Sequence, residues 1–174
     1  MNIFARIRSF LYALIRGYLD EKRVRGDAAS AKAWAQEAIA GTRALDTLQI
    51  QYWAGLQDLR DGKTFAVIDG GGPASVRRTT RTQVENFQAT VTEADFKALL
   101  QTMLDSGWFD RRPLARPGAP DATMVQISLI DTDDVLKFYI KDWNSALCDD
   151  PALEAVAKAV RGQLEQISGG QVQY

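Results

Sequence analysis

Residues 125–141 read Val-Gln-Ile-Ser-Leu-Ile-Asp-Thr-Asp-Asp-Val-Leu-Lys-Phe-Tyr-Ile-Lys, two alternating runs joined by a cluster of aspartates. Val125, Ile127 and Leu129 alternate with Gln126 and Ser128, and Leu136, Phe138 and Ile140 alternate with Lys137, Tyr139 and Lys141. Successive side chains of a strand point to opposite faces, so this pattern predicts an antiparallel hairpin with one dry and one wet face, turning at Asp131–Asp134. A dry face needs a cover, and the flanking sequence supplies helices for it.

On the C-terminal side, Asp150 is placed to cap and Pro151 to open a helix with the stripe Leu153, Val156, Ala157, Val160, Leu164 and Ile167, which Gly169 and Gly170 end. On the N-terminal side, Pro113, Pro117, Gly118 and Pro120 mark a surface loop. Before it, Thr92 and Asp95 form a capping pair, Val91 and Phe96 a hydrophobic staple, and Phe96, Leu99, Leu100, Met103 and Leu104 an apolar stripe closed by Gly107. Further upstream the period is again two. Leu48, Ile50 and Tyr52 alternate with Gln49, Gln51 and Trp53, and Thr64–Ile68 is a short apolar run ending at Asp69, Gly70, Gly71, Gly72 and Pro73. The stretch 74–90, rich in Val, Thr and Arg, predicts a hairpin returning through one long or two short strands.

The segment 26–43 predicts an alanine-rich helix from about Ala28 to Ala40, with Asp27 as cap and Gly41 as stop. Trp34 and Ile39 are its only large apolar residues, so it should either pack closely through alanines or lie exposed. Residues 1–25 predict a further helix from about Asn2 to Val24. At about 100° per residue, Ile3, Phe4, Ile7, Phe10, Leu11, Leu14, Ile15 and Tyr18 fall on one face, with Arg6, Arg8, Ser9, Arg16 and Asp20 opposite. This segment holds six Lys or Arg and two Asp or Glu, leaving 15 basic and 20 acidic residues in the rest of the chain. Arginines recur too often for a bilayer span, and no cleavage pattern of an export signal follows. The helix is therefore expected to lie on a membrane surface, to pair with another helix, or to dock on its own acidic domain.

The fold class expected is α+β: an antiparallel sheet of about five strands covered by helices, in the order α-α-β-β-β-α-β-β-α, with 44–170 as the main domain. Without the first helix, this order resembles that of bacterial secretion-chaperone-like domains. The resemblance lies in element order alone, and no binding residues are carried over from it.

Composition excludes more chemistry than it suggests. With no histidine among 174 residues, imidazole acid–base catalysis, His-containing triads and His-based metal centres are all ruled out. The single cysteine, Cys148, permits no internal disulfide, and its neighbours Asp149 and Asp150 disfavour a thiolate. A net charge of −1 argues against nucleic acid as partner. Gly70–Gly72 lack the spacing and following helix of a phosphate loop and read as a mobile turn. The aspartates at 131, 133, 134, 142, 149 and 150 lack the pattern of a calcium loop and read as turn and cap residues. No metal or cofactor is expected.

Two surface features stand out as candidate sites. Arg77, Arg78 and Arg81, with Lys137 and Lys141, form a possible basic patch, beside a second basic group at Arg111, Arg112 and Arg116. Trp53, Trp108, Trp143, Phe65, Phe109, Phe138 and Tyr139 read as core or core edge. The alternation nevertheless sends Trp53 and Tyr139 to the opposite sheet face, where with Trp143 they form a possible aromatic interface.

The function expected is a non-enzymatic protein-interaction or adaptor module, attached through its N-terminal helix to a partner or to the cytoplasmic face of a membrane. Homo-oligomerisation through that helix is a further expectation. Two alternatives stand beside it: a small acidic chaperone or immunity-type protein dedicated to one partner, and a carboxylate-dependent enzyme built on Glu85, Asp95 or the Asp131–Asp134 turn.

Overall fold

The computed structural model describes residues 28–55, 62–111, 123–133 and 136–172. The expected helix of residues 1–25, with its face Ile3, Phe4, Ile7, Phe10, Leu11, Leu14, Ile15 and Tyr18, lies outside the described residues. Among those described, the alternating segments pair into one antiparallel sheet of six strands, in the order β4-β3-β2-β1-β5-β6. The strands are β1 (Leu48–Gly55), β2 (Lys63–Asp69), β3 (Pro73–Thr79), β4 (Val84–Thr90), β5 (Met124–Asp131) and β6 (Leu136–Trp143). Six strands replace the expected five because the stretch 74–90 turns back on itself after Thr79, pairing Thr79 with Val84 and Pro73 with Thr90.

Continuous register keeps all the inward residues on one face. Ile50 sits between Ile68 and Leu129, and Tyr52 between Ala66 and Ile127. Leu48, Ile50, Ile68, Val76, Leu129, Phe138 and Ile140 are at most 2% exposed. The helices form the layer over them: α1 (28–40), α2 (Glu93–Asp105), α3 (Asn144–Asp149) and α4 (Pro151–Ile167). The six-residue α3, absent from the sequence expectation, joins β6 to α4.

Local chemistry sets the helix ends. The Thr92 hydroxyl accepts from the Asp95 N–H at 3.1 Å and donates to the Asp95 carboxylate, starting α2. Gly107 follows α2 at φ 70°, a left-handed conformation that costs glycine nothing. The Asp150 carboxylate accepts from the Ala152 N–H at 2.9 Å and starts α4. Leu153, Val156, Ala157, Val160, Leu164 and Ile167 of α4 are all buried, each large side chain contributing about 1.5–3 kcal/mol by leaving water. Helix α1 takes the close-packing alternative: Ala31, Ala35 and Ala38 are buried, and small side chains let its backbone approach the core. Trp108 packs edge-on to Phe109 and Phe138, with ring centroids at 5.0 and 4.7 Å.

The glycines after β2 form the expected hairpin turn into β3, with Gly71 exposed, while Gly70 lies so close beneath the Leu45 carbonyl that a Cβ would sit 2.1 Å from its oxygen. Asp131, expected as a turn residue, ends β5 fully buried, with one carboxylate oxygen bonded to Arg43 and the other accepting from the Asp133 N–H. Arg43 also approaches Glu37 at 3.4 Å and stacks 5.5 Å from the Trp34 ring centre, tying the end of α1 to the sheet. No described helix is long and apolar enough to cross a membrane.

Candidate functional site on the uncovered sheet face

Residues pointing away from the helices form a second face, which no described residue covers as a layer. Its central row is set by register: Arg77 of β3 pairs with Phe65 of β2, Phe65 with Trp53 of β1, Trp53 with Gln126 of β5, and Gln126 with Lys141 of β6. Two aromatic residues thus stand side by side, flanked at either end of the row by a cation. The next row runs Ser75, Val67, Gln51, Ser128 and Tyr139, and the one after it ends on Lys137.

Phe65 is 43% exposed, Trp53 and Tyr139 are half-buried, and Arg77 and Lys141 are exposed. The Lys141 ammonium lies 5.5 Å from the Trp53 ring centre and that of Lys137 lies 5.6 Å from Tyr139, each contact worth about 0.5–1 kcal/mol at a partly wet site. Lys137 is half-buried, and this desolvation holds its pKa below the usual lysine value. Between these groups is a depression of about 230 Å³ bounded by Gln51, Trp53, Phe65, Gln126, Ser128, Lys137 and Lys141. Ser128 is fully buried beneath it and accepts from Gln126 Nε2 at 3.1 Å, so the floor is polar.

The predicted patch and interface residues are therefore only partly united. Trp53, Tyr139, Arg77, Lys137 and Lys141 share the uncovered face. Arg78 does not; it points to the covered side and pairs with Glu85 at 3.7 Å. Arg81 lies in the turn between β3 and β4 rather than on the Arg77 strand face. Trp143 closes β6, and its side chain lies outside those described. Arg111 is engaged by Asp150 at 3.4 Å, while Arg112 and Arg116 lie outside the described residues. Sequence reasoning placed Phe65 in the core and left out Gln51, Gln126 and Ser128. The signal for Phe65 was present in its separation by two from Val67 and Lys63, but only pairing with Trp53 shows where it falls.

The covered side holds a smaller polar cluster. Arg161 of α4 donates from Nε to the Tyr52 hydroxyl at 3.1 Å and from Nη2 to Asn144 Oδ1 at 2.6 Å. Burial raises the Tyr52 pKa, the nearby guanidinium opposing it in part. Arg161 also borders a groove of about 400 Å³ between α3 and α4, lined by Leu147, Cys148, Glu154, Ala157, Lys158, Gly162 and Glu165. Cys148 is exposed there.

The carboxylates considered for acid–base chemistry are dispersed: Glu85 pairs with Arg78, Asp95 accepts from the hydroxyl of Thr92, the cap of α2, and Asp131 pairs with Arg43. Among the described residues, no group of three or more Cys, Asp or Glu is placed to hold a metal ion. The chain matches no protein-family model and no curated protein.

Proposed function

We propose that this protein is a non-enzymatic interaction module that holds a protein or peptide partner on its uncovered sheet face. The carrying observation is the row Arg77, Phe65, Trp53, Gln126 and Lys141, which places adjacent aromatic residues on the side that the described helices leave open. Half-buried rings held by neighbouring ammonium groups need little ordering on binding, which favours their use as anchors. The engagement of Glu85, Asp95 and Asp131 in caps and ion pairs supports the non-enzymatic reading.

Residues 1–25, basic and amphipathic in sequence, attach this module to the cytoplasmic face of a membrane or to a partner helix. The excess of acidic residues in the rest of the chain favours a second reading, a small protein dedicated to neutralising or escorting a single partner.

Affinity purification with crosslinking from native cells tests the central claim. The wild-type chain should recover one stoichiometric partner that Trp53→Ser loses, and recovery of the same proteins by both would refute it. Sedimentation with anionic liposomes tests the attachment: the full chain should pellet and a chain lacking residues 1–25 should not. Equal behaviour of the two removes the membrane role.

A further inference from the structure

We infer that the uncovered face takes an acidic, extended peptide segment, laid across the strands so that its carboxylates meet Arg77 at one end and Lys141 and Lys137 at the other. Its apolar side chains rest on Phe65 and Trp53. This inference rests on the reading of that face as the interface.

Charge selects the partner's sign. The outward positions of the six strands carry Lys63, Arg77, Lys137 and Lys141, and one carboxylate, Asp69. That carboxylate already accepts hydrogen bonds from Gln49 Nε2 at 3.1 Å and the Gly71 N–H at 2.9 Å. In a chain of net charge −1, this face is thus a local basic surface, and it attracts anions. The same sign argues against residues 1–25 as the occupant, since they hold six basic and two acidic residues.

Geometry selects an extended chain. Arg77 and Lys141 are four strand spacings apart, about 19 Å at about 4.8 Å per strand, which an extended segment covers in about six residues. The surface between them is a depression floored by Gln51, Gln126 and Ser128. The amide groups of Gln51 and Gln126 there suit the backbone and carboxylates of a peptide. They do not suit the acyl region of a bilayer, which seeks protruding apolar side chains.

The test uses the full-length chain and two labelled peptides, a Glu-Val peptide (Glu-Ser-Val-Ser-Val-Ser-Glu), whose alternate side chains share one face when extended, and a Lys-Val peptide with Lys in place of each Glu, followed by fluorescence anisotropy. Vesicles of phosphatidylserine and phosphatidylcholine serve as a second probe. The Glu-Val peptide should bind, with affinity falling as salt rises. The double variant Arg77→Glu/Lys141→Glu should lose roughly tenfold or more in affinity, as expected for two reversed charge contacts. Lys158→Glu on α4, a single reversal on the helical side, should bind as the wild type does. Both altered positions of the double variant are exposed, and an unchanged circular dichroism spectrum verifies its fold. The inference is overturned if both peptides bind alike or if the double variant keeps its affinity. It is equally overturned if the reversal abolishes vesicle binding or self-association while the Glu-Val peptide fails to bind. A partner lost on Trp53→Ser but kept by the double variant would overturn the acidic specificity and leave the interface reading standing.

Discussion

Replacing Arg43 with methionine strands a carboxylate. Asp131 is 0% exposed, and Arg43 is the cation bonded to it, itself 21% exposed and stacked on Trp34. Removing one member of a buried pair costs about 3–5 kcal/mol, because the remaining charge keeps its desolvation penalty and loses its compensation. Two observations place this site at the lower end. Arg43 Nε is buried with no acceptor among the described residues, so the wild-type pair is itself imperfectly satisfied. Asp131 also retains its hydrogen bond from the Asp133 N–H at 3.0 Å. The expected loss is about 3 kcal/mol, which at a urea dependence of about 2 kcal/mol per M moves the unfolding midpoint down by about 1.5 M. Asp131→Asn should cost less, about 1–2 kcal/mol, since an amide can still accept from Asp133 without carrying charge. The combined variant decides the matter, because with no carboxylate to strand, Arg43→Met should cost about 2 kcal/mol less than it does alone. Urea unfolding of the four proteins, followed by far-ultraviolet circular dichroism, measures the cycle. Additivity within about 0.5 kcal/mol would show that the two side chains act independently and would refute the reasoning.

Two glycines should respond in opposite directions to alanine: Gly70→Ala drives a Cβ into the Leu45 carbonyl and should cost about 2–3 kcal/mol, whereas Gly162→Ala, with open space inside α4, should stabilise by about 0.5–1 kcal/mol in the same urea assay. Burial raises the Tyr52 pKa, so the folded state holds its proton more tightly than the unfolded chain does. Its contribution is complete below the ordinary tyrosine value of about 10 and is lost as pH climbs from there through the higher folded value. Tyr52→Phe should therefore show a shallower alkaline loss of stability than the wild type, and equal slopes in paired pH titrations would contradict this. Phe65→Thr puts a residue of high strand propensity at a 43% exposed position and should change stability by no more than about 0.5 kcal/mol while weakening partner capture; a large loss of stability would return Phe65 to a structural role.

Periodicity and caps were sufficient for most of the elements. The run 125–141, the α2 cap at Thr92 and the α4 start at Asp150 carry their geometry in neighbouring residues, so local physics settles them. The fourth strand was less legible because the stretch 74–90 is polar along much of its length. Only pairing between Thr79 and Val84 reveals the reversal. The buried role of Asp131 was hidden for a similar reason: its partner Arg43 is distant in the chain, and an aspartate at a strand end looks like any turn residue.

The sequence by itself determined that a wet and a dry sheet face exist, that helices supply the cover, and that imidazole chemistry is absent. Those are consequences of alternation, helical period and composition, which need no knowledge of which strand lies beside which. Tertiary structure alone decided which outward residues become neighbours. Arg77, Phe65, Trp53, Gln126 and Lys141 come from five strands, and a one-residue slip of any strand would send its side chain to the opposite face. Register is a cooperative property of the whole sheet packed against its helices, so the cation–aromatic row it creates is visible only in the folded chain.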